Sequence, residues 1–364
     1  MFGRNIFVED FASLVEYFLQ PYLLLTHLFM MRAKIFLFLG LLVTITLVAC
    51  IGQNDFDRED NFELVAFDQT IQFEQKISAY DLFQGRASDL IPNNDFHLVE
   101  LSSPLFTDYA HKQRLIKLPN GEKIEKDALD RLEFPNGTIL AKTFFYYHDD
   151  RDTSLGKRII ETRLLIKEAS NWNAATYVWN NEQSDASLIN RGAETEVSWI
   201  NTNGRSLSTL YRVPTQNDCG TCHQSNNQIT PLGPTLMNLN RIVSRKGADI
   251  NQLKHLQNVG LLNEFVLQNM PTIVDYKDIN IPLDQRGRAY LAMNCAHCHN
   301  PDGWNRSSER RFDFSFETPL RQTGILDKKE KISRTMANGR MPFNGTTILD
   351  EEGLELIQEY LRGL

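Results

Sequence analysis

Cysteine is scarce in this chain, with only five residues among 364. Small secreted domains that are held together by disulfides are shorter and much richer in cysteine, so a disulfide framework is not expected here. Four of the five cysteines form two Cys-x-x-Cys pairs, and the fifth, Cys50, ends an apolar segment. Each cysteine therefore has a specific candidate role.

An excess of positive charge is also lacking. The chain has 38 Lys and Arg residues against 46 Asp and Glu residues, which gives a net charge of −8. Proteins that bind nucleic acid usually show a basic patch or a high pI, so we expect no nucleic-acid partner. The stretch from about residue 80 to 210 also contains no glycine-rich phosphate loop and no sequence typical of a nucleophile elbow.

The N-terminal part contains a candidate secretory signal. Arg32 and Lys34 form a short positive region before the apolar run of residues 35–47. This order is typical of an export signal rather than of folded structure. Residues 1–29 precede the signal, so Met30 or Met31 is the expected start and the upstream stretch a mis-assigned extension.

The signal ends in Leu47-Val48-Ala49-Cys50, which resembles a bacterial lipobox. The resemblance implies cleavage before Cys50 and acylation of its sulfur and new amino group. The alternative is a transmembrane helix, for which the uncharged run of residues 35–51 is marginal in length. Ile51 follows the cysteine, which resembles lipoproteins sent to the outer membrane of Gram-negative bacteria. We therefore expect an anchor in the cell envelope, followed by a polar tether.

The rest of the chain has two parts with different sequence patterns. Between residues 80 and 210, short runs of β-branched and aromatic residues alternate with turn signals such as Asn203-Gly204, which predicts an antiparallel sandwich or barrel. In this part Glu161 and Arg163 alternate with apolar neighbours, which predicts a solvated strand face. After Leu210, apolar residues recur at helical spacing. The predicted helices cover residues 236–245, 250–268, 284–294 and 350–361.

The strongest chemical signal is a Cys-x-x-Cys-His motif that occurs twice, at Cys219–His223 and at Cys295–His299. Two cysteines three positions apart can each form a thioether with a haem vinyl group, and the adjacent histidine can ligate the iron. Alternatives are a zinc site, a redox dithiol and a disulfide. A zinc site does not demand histidine after both pairs, and a thioredoxin-like dithiol needs a βαβ context that is missing. The sequence therefore predicts two covalently bound c-type haems, attached through Cys219, Cys222, Cys295 and Cys298, with His223 and His299 as proximal ligands.

The second motif lies in a pattern that resembles small class I cytochromes c. Met341-Pro342 follows His299 by 42 residues and resembles their distal Met-Pro ligand, with a core methionine as the alternative. Gly287 and Tyr290 occupy the positions where that family packs its two terminal helices. We therefore expect Met341 to ligate the second iron.

The first motif matches the same pattern less completely. Gly233-Pro234 resembles the segment whose proline carbonyl accepts a hydrogen bond from the proximal histidine. Met270-Pro271 follows His223 by 47 residues and makes Met270 the candidate distal ligand, with His255 and Met237 as rivals.

Over most of its length after about Tyr80, the chain resembles uncharacterised bacterial dihaem c-type cytochromes that place a β-rich domain before a haem-bearing region. The resemblance is carried by Ser103–Tyr109, Ile160–Leu165, Tyr177–Asn180, Val197–Ile200, Gly233-Pro234, Asn238–Arg241, Asn251–Leu253 and Asn294–Pro301. It implies export, two haems and electron transfer with protein partners that it does not identify.

The expected organisation follows from these motifs. It comprises a signal and extension (1–49), a lipidated cysteine with its tether (50–79), a β-rich domain (80–210), a first haem module (211–280) and a second, class I-like haem domain (281–364). The fold class is thus a β-rich N-terminal domain followed by an all-α, cytochrome c-like region.

Three functions are compatible with this organisation. The first is an electron carrier with two six-coordinate haems. The second is a peroxidase-like dihaem enzyme with an open distal position at the first haem. The third is a binding protein whose aromatic residues stack on a sugar while the haems serve a redox partner; the candidate aromatics are Trp172, Tyr177, Trp179 and Trp199.

The anchor generates the first testable prediction. Cys50→Ser should release the exported protein into the soluble periplasmic fraction with both haems intact, because the acyl chains are its only hold on the membrane in this account. Cell fractionation followed by haem staining measures this. Retention of the Cys50→Ser protein in the membrane would instead identify residues 35–51 as a transmembrane helix.

Overall fold

A computed structural model describes residues 71–225, 228–303, 312–342 and 345–364, all of which belong to one compact unit, Leu64–Leu364. The signal segment, Cys50 and the first part of the expected tether lie outside the described residues. No helix within the described ranges combines the length and the apolar character that a membrane span needs.

The β-rich part is built on a six-stranded antiparallel sheet with the strand order β1-β2-β5-β6-β7-β8. The strands of this sheet are β1 (His97–Leu98), β2 (His111–Lys117), β5 (Ile139–Tyr147), β6 (Lys157–Glu168), β7 (Asn171–Trp179) and β8 (Ala186–Ile189). Two short strands, β3 (Glu125–Lys126) and β4 (Leu132–Glu133), form a separate pair. This confirms the predicted antiparallel β-rich region.

A hairpin of β9 (Ala193–Ile200) and β10 (Ser206–Val213) follows the sheet. Its turn contains the predicted Asn203-Gly204 signal. Gly204 has φ +76°, and its N–H donates to the carbonyl of Asn201 at 2.8 Å. Glycine suits this position because a side chain would strain the left-handed backbone.

Both faces of the large sheet are covered. One face packs against the chain segment of residues 71–96 in a cluster that includes Phe73, Ile77 and Leu115. The opposite face carries two further clusters, one with Ile116 and the helices after Leu236, the other with Phe144 and the β9–β10 hairpin. Because the sheet is buried on both sides, its strands lack the clean alternation of a half-exposed sheet.

The described residues of the C-terminal half contain six helices. They are α1 (Gln216–His223), α2 (Leu236–Leu239), α3 (Gln252–Asn258), α4 (Leu283–Asn294), α5 (Ile325–Ala337) and α6 (Glu351–Gly363). Two small hairpins, β11 (Gln224–Ser225) with β12 (Gln228–Ile229) and β13 (Ile242–Arg245) with β14 (Ala248–Asn251), lie among them. The expectation of an all-α region after Leu210 was therefore wrong for its first half.

The helix predictions had mixed outcomes. The helices expected at 284–294 and 350–361 are confirmed as α4 and α6. The expected helix at 236–245 is one turn followed by a strand, and that at 250–268 ends at Asn258. Short apolar runs are compatible with either a helix or a strand. Gly247, with φ +80°, lies in the turn that joins β13 and β14 into a hairpin.

Two further expectations need correction. The tether was expected to reach residue 79, but Phe73 and Ile77 are buried in the sheet core. The solvated face expected at Glu161 and Arg163 is buried, since Glu161 has no exposed surface. Its carboxylate accepts hydrogen bonds from Arg163 and from the hydroxyl of Tyr211 at 2.6 Å, and this pairing offsets the cost of burial.

Helices α4 and α6 pack where the sequence predicted. A Cβ atom on Gly287 of α4 would lie 2.4 Å from Cγ of Tyr360 on α6. A Cβ atom on Gly353 of α6 would in turn lie 2.4 Å from the ring of Tyr290. A glycine of each helix thus contacts a tyrosine of the other. The helices can approach this closely only because the two glycines have no side chains.

This crossing gives the second prediction. Gly287→Ala should lower the free energy of unfolding by about 1–3 kcal/mol, because the added methyl group forces Tyr360 out of a packed position. Chemical denaturation measures the change. Gly363→Ala at the end of α6 is the matched control, since its Cβ would meet nothing within 4 Å. Equal losses in the two variants would contradict the packing explanation.

Candidate functional site

The first Cys-x-x-Cys-His motif lies on the short helix α1. Thr215 caps this helix, since its hydroxyl accepts from the N–H of Asp218 at 3.2 Å while the Asp218 carboxylate accepts from the N–H of Thr215 at 2.9 Å. This reciprocal pair is a capping box. Pro214 precedes the cap, which explains why the helix starts only three residues before Cys219. Cys219 and Cys222 therefore lie on one helical turn, as the motif predicts.

The imidazole of His223 has a defined hydrogen bond. Its Nδ1 lies 2.8 Å from the carbonyl oxygen of Thr230, which can only accept, so Nδ1 carries the proton. Burial lowers the pKa of His223 to about 4, so the ring is neutral near pH 7. A neutral imidazole protonated on Nδ1 has its lone pair on Nε2, the atom that a metal would take.

The acceptor of this hydrogen bond differs from the prediction, which placed it on Pro234. The β11–β12 hairpin returns the chain so that Thr230 lies beside His223, and the N–H of Thr230 donates to the His223 carbonyl at 2.7 Å. The bond is therefore made four residues earlier than expected.

The second motif begins where α4 ends. The backbone of His299 is held by the N–H of Phe314, which donates to its carbonyl at 2.9 Å. Its ring contacts the rings of Phe312 and Phe314, with centroids 5.7 and 5.4 Å away. Burial lowers the pKa of His299 to about 4. Within the described ranges, the buried Nδ1 of His299 has no hydrogen-bond partner.

The two motifs are in direct contact. The thiol of Cys298 in the second motif lies 3.6 Å from the carbonyl oxygen of Thr221 in the first. Cys298 is also close enough to Cys222 to lower the pKa of the Cys222 thiol, and the pKa of Cys298 is raised in turn. His297 also lowers the pKa of Cys222. The last cysteines of the two motifs, 76 residues apart in sequence, thus influence each other in the folded chain.

The four cysteines of the motifs are free thiols, and each is half-buried. Burial raises the pKa of Cys219 to about 11 and that of Cys295 to about 12. Both thiols are therefore protonated near neutral pH. No group of three or more His, Cys, Asp or Glu side chains within the described residues has the arrangement of a metal site.

The candidate distal ligands lie in different surroundings. Met341 follows α5 and is half-buried. Its N–H donates to the carbonyl of Thr335 at 3.3 Å. Helix α5 also carries Lys331, which is close enough to lower the pKa of His299. Helix α5 also packs in the same hydrophobic cluster as Cys295 and Phe314, so it belongs to the surroundings of the second motif.

The candidates for the first motif are less favourably placed. Met270 packs against the hydrophobic cluster of Leu236 and Leu253, which gives it a structural role. The charged groups around His255 are Arg245, His97 and Lys246. The carbonyl of Met237 accepts from the N–H of Ile273 at 3.1 Å. None of these contacts involves the first motif.

Sequence reasoning missed a segment that connects the helical part, including the start of the second motif, with the sheet. Residues 101–109 precede β2, and we call them the strap. The side chain of Asn238 accepts from the N–H of Ser103 at 2.9 Å and donates to its carbonyl at 3.2 Å. Asn294, which directly precedes Cys295, accepts from the N–H of Phe106 at 2.7 Å. The strap lies in one of the sequence blocks that carry the family resemblance, which was the available signal.

The strap also holds the chain beyond Met341. The carboxylate of Asp108 accepts from the N–H of Thr347 at 2.8 Å and from its hydroxyl at 2.7 Å. Burial raises the pKa of Asp108, and these hydrogen bonds oppose the rise. A segment of the β-rich part thereby fixes elements on both sides of the second motif.

Comparison with protein-family models, with curated proteins and with solved structures finds no match to this chain.

The strap gives the third prediction. Asn238→Ala should lower the free energy of unfolding by about 1–3 kcal/mol, because Asn238 is fully buried and the backbone groups of Ser103 would lose their partners. Chemical denaturation measures this loss. Asn258→Ala, on the exposed end of α3, is the control and should change stability by less than about 0.5 kcal/mol. A loss at Asn238 no larger than that of the control would show that the strap is not held this way.

Proposed function

We propose that the chain is a dihaem c-type cytochrome that transfers electrons in the cell envelope as a lipid-anchored protein. Cys219 and Cys222 would hold one haem through thioethers, Cys295 and Cys298 the other, and the bound haems would supply one-electron redox chemistry. Residues 281–364 would form a class I cytochrome c-like domain after a sandwich-like β domain. The partners would be other redox proteins of the envelope.

The contact between the two motifs carries this proposal. A single Cys-x-x-Cys-His motif can occur by chance, but two that meet in the fold indicate a shared site, and here the thiol of Cys298 lies 3.6 Å from the carbonyl oxygen of Thr221, directly before Cys222. Groups attached to these two cysteines would start from neighbouring sulfur atoms. This proximity suits a protein that passes an electron from one centre to the next.

The surrounding residues fit the proposed ligands. The Thr230 carbonyl orients the His223 ring, and burial keeps both proximal imidazoles neutral, as a metal ligand must be. Phe312 and Phe314 provide apolar walls beside His299. An apolar wall limits solvent access, which favours the iron state of lower charge.

A second candidate, a peroxidase-like dihaem enzyme, is favoured by one observation. Met270 packs in a hydrophobic cluster away from the contacts of the first motif, so a distal ligand for the first haem is not evident among the described residues. A ferric absorption and electron paramagnetic resonance spectrum separates the two functions. Two low-spin centres support the electron carrier, and a five-coordinate high-spin centre supports the enzyme.

Covalent attachment is the fourth prediction and the direct test of this proposal. Expressed with a cytochrome c maturation system, the protein should gain the mass of two haems and keep its haem stain through denaturing electrophoresis. Replacing Cys219 and Cys222 together with alanine should remove one haem, and replacing Cys295 and Cys298 should remove the other. A gain of zinc, or of no haem, would contradict the proposal.

The fifth prediction concerns Met341. A thioether donor favours ferrous iron, so Met341→Ala should lower one of two resolved midpoint potentials and abolish the near-infrared methionine–iron band. Met341→His should restore six-coordination at a still lower potential. Met336→Leu, a change to a buried methionine of α5 that packs in the core, is the control. If Met341→Ala leaves the spectrum and both midpoints as they were, Met341 is a packing residue.

A further inference from the structure

A row of cations crosses the centre of the large sheet. The strand registers place Arg114 of β2 opposite Lys142 of β5, and Lys142 opposite Arg163 of β6. Directly paired residues point to the same face, and adjacent strands lie about 4.8 Å apart. We call these three residues the cationic row. Lys112 lies two residues from Arg114 on the same face.

Such a row is costly by itself, because like charges directly opposite each other on a sheet repel. Each member is surrounded by protein, and burial lowers the pKa of Lys142 well below its usual range. Each member nevertheless keeps part of its surface accessible.

The described residues compensate only part of this charge. Arg163 is paired with Glu161, and the ammonium of Lys112 donates to the carbonyl of Leu105 at 3.0 Å. Within the described ranges, Arg114 and Lys142 have neither an ion pair nor a side-chain hydrogen bond. The ring of Phe144, 4.9 Å from the ammonium of Lys142, provides a weaker cation–π contact.

The cationic row faces the first motif. Lys142 and Arg163 both lower the pKa of His223, and Arg163 lowers that of Cys219 against the opposing effect of burial. On β7, Thr176 is the direct pair of Arg163 and lines a cavity of about 340 Å³ together with Cys219. The cavity beside Cys219 is therefore lined by the strand partner of one member of the row, Arg163.

We propose that the cationic row binds the propionate carboxylates of the haem attached at Cys219 and Cys222. The proposal rests on the proposed function. A haem carries two propionates, which equals the two cations, Arg114 and Lys142, that lack an anionic partner in the described chain. Guanidinium and ammonium groups form strong charge-assisted hydrogen bonds with carboxylates. The β-rich part would thus be one wall of the first haem pocket.

The pairing has an electrical consequence. Cations near the iron disfavour the extra positive charge of the ferric state, so the row should raise the reduction potential of the first haem. Ion pairing should also keep the propionates ionised around neutral pH. Removal of one cation should therefore lower the midpoint potential of the first haem. It should also make that potential depend on pH near neutrality.

The experiment uses the full chain with both haems attached. Lys142→Met removes the charge and keeps the length of the side chain, Lys142→Arg keeps the charge, and Arg114→Gln is a second test should Lys142→Met fail to fold. Lys117→Met is the matched control, because Lys117 lies on β2 on the opposite face and pairs with Asp95 at the surface. Haem staining after denaturing electrophoresis and spectroelectrochemical titration from pH 6 to 8 are the readouts.

We expect two covalent haems in every variant. One midpoint should fall and become pH-dependent in Lys142→Met and in Arg114→Gln, with wild-type behaviour in Lys142→Arg and Lys117→Met.

If Lys142→Met and Arg114→Gln keep both wild-type midpoints and their pH dependence, the row does not bind the propionates. If added nitrate or sulfate shifts the wild-type haem spectrum and this shift is lost in Lys142→Met, the row is a site for external anions and the proposal is overturned. A wild-type protein without covalent haem would instead overturn the proposed function itself.

Discussion

The register of the large sheet is the constraint on which the rest of this structure depends. It places Arg114, Lys142 and Arg163 side by side between two hydrophobic clusters on one face. A shift by a single residue would send these charges to the opposite face and into the core that contains Phe73 and Leu115. The apolar residues on both sides of the row therefore fix the position of the charges. The helical part, which covers this face, must therefore provide groups that are compatible with these charges.

The helical part is held against this face by polar contacts as well as by apolar packing. Asn238 and Asn294 bind the strap from elements that flank the two motifs, and Asp108 binds the segment after Met341. Buried amides specify distance and orientation in a way that leucine contacts do not, because an unmet donor or acceptor is costly. The two motifs, which touch where the Cys298 thiol meets the Thr221 carbonyl, lie in the same part of the fold as these contacts.

Much of this could be predicted from the sequence, and the exceptions have physical causes. The motif residues, the antiparallel sheet and helices α4 and α6 followed from local signals: residue spacing, turn dipeptides and helical periodicity. The packing of α4 on α6 at Gly287 and Tyr290 followed from the resemblance to class I cytochromes c. Helix α5 and the β11–β12 hairpin were not predicted. The β13–β14 hairpin was predicted as helix because short apolar runs are ambiguous between helix and strand.

The buried charges could not be predicted from one strand at a time. Glu161 and Arg163 alternate with apolar residues as a solvated face does, and only the partner strands show that this face is covered. The acceptor for His223 was expected at Pro234, because sequence spacing cannot show that a hairpin brings Thr230 closer. Ligand assignments for the first motif were uncertain for the same reason. They depend on contacts between segments that are distant in sequence.

The fold brings the two motifs into contact, and we propose that the haems attached to them would be close neighbours. Circular dichroism in the Soret region tests this most directly, because two neighbouring haems couple their transitions and give a band with two lobes of opposite sign. The account predicts such a band for the oxidised full-length protein, and its collapse to a single weak band when Cys295 and Cys298 are replaced by alanine. A wild-type spectrum equal to the sum of two isolated haems would contradict the claim.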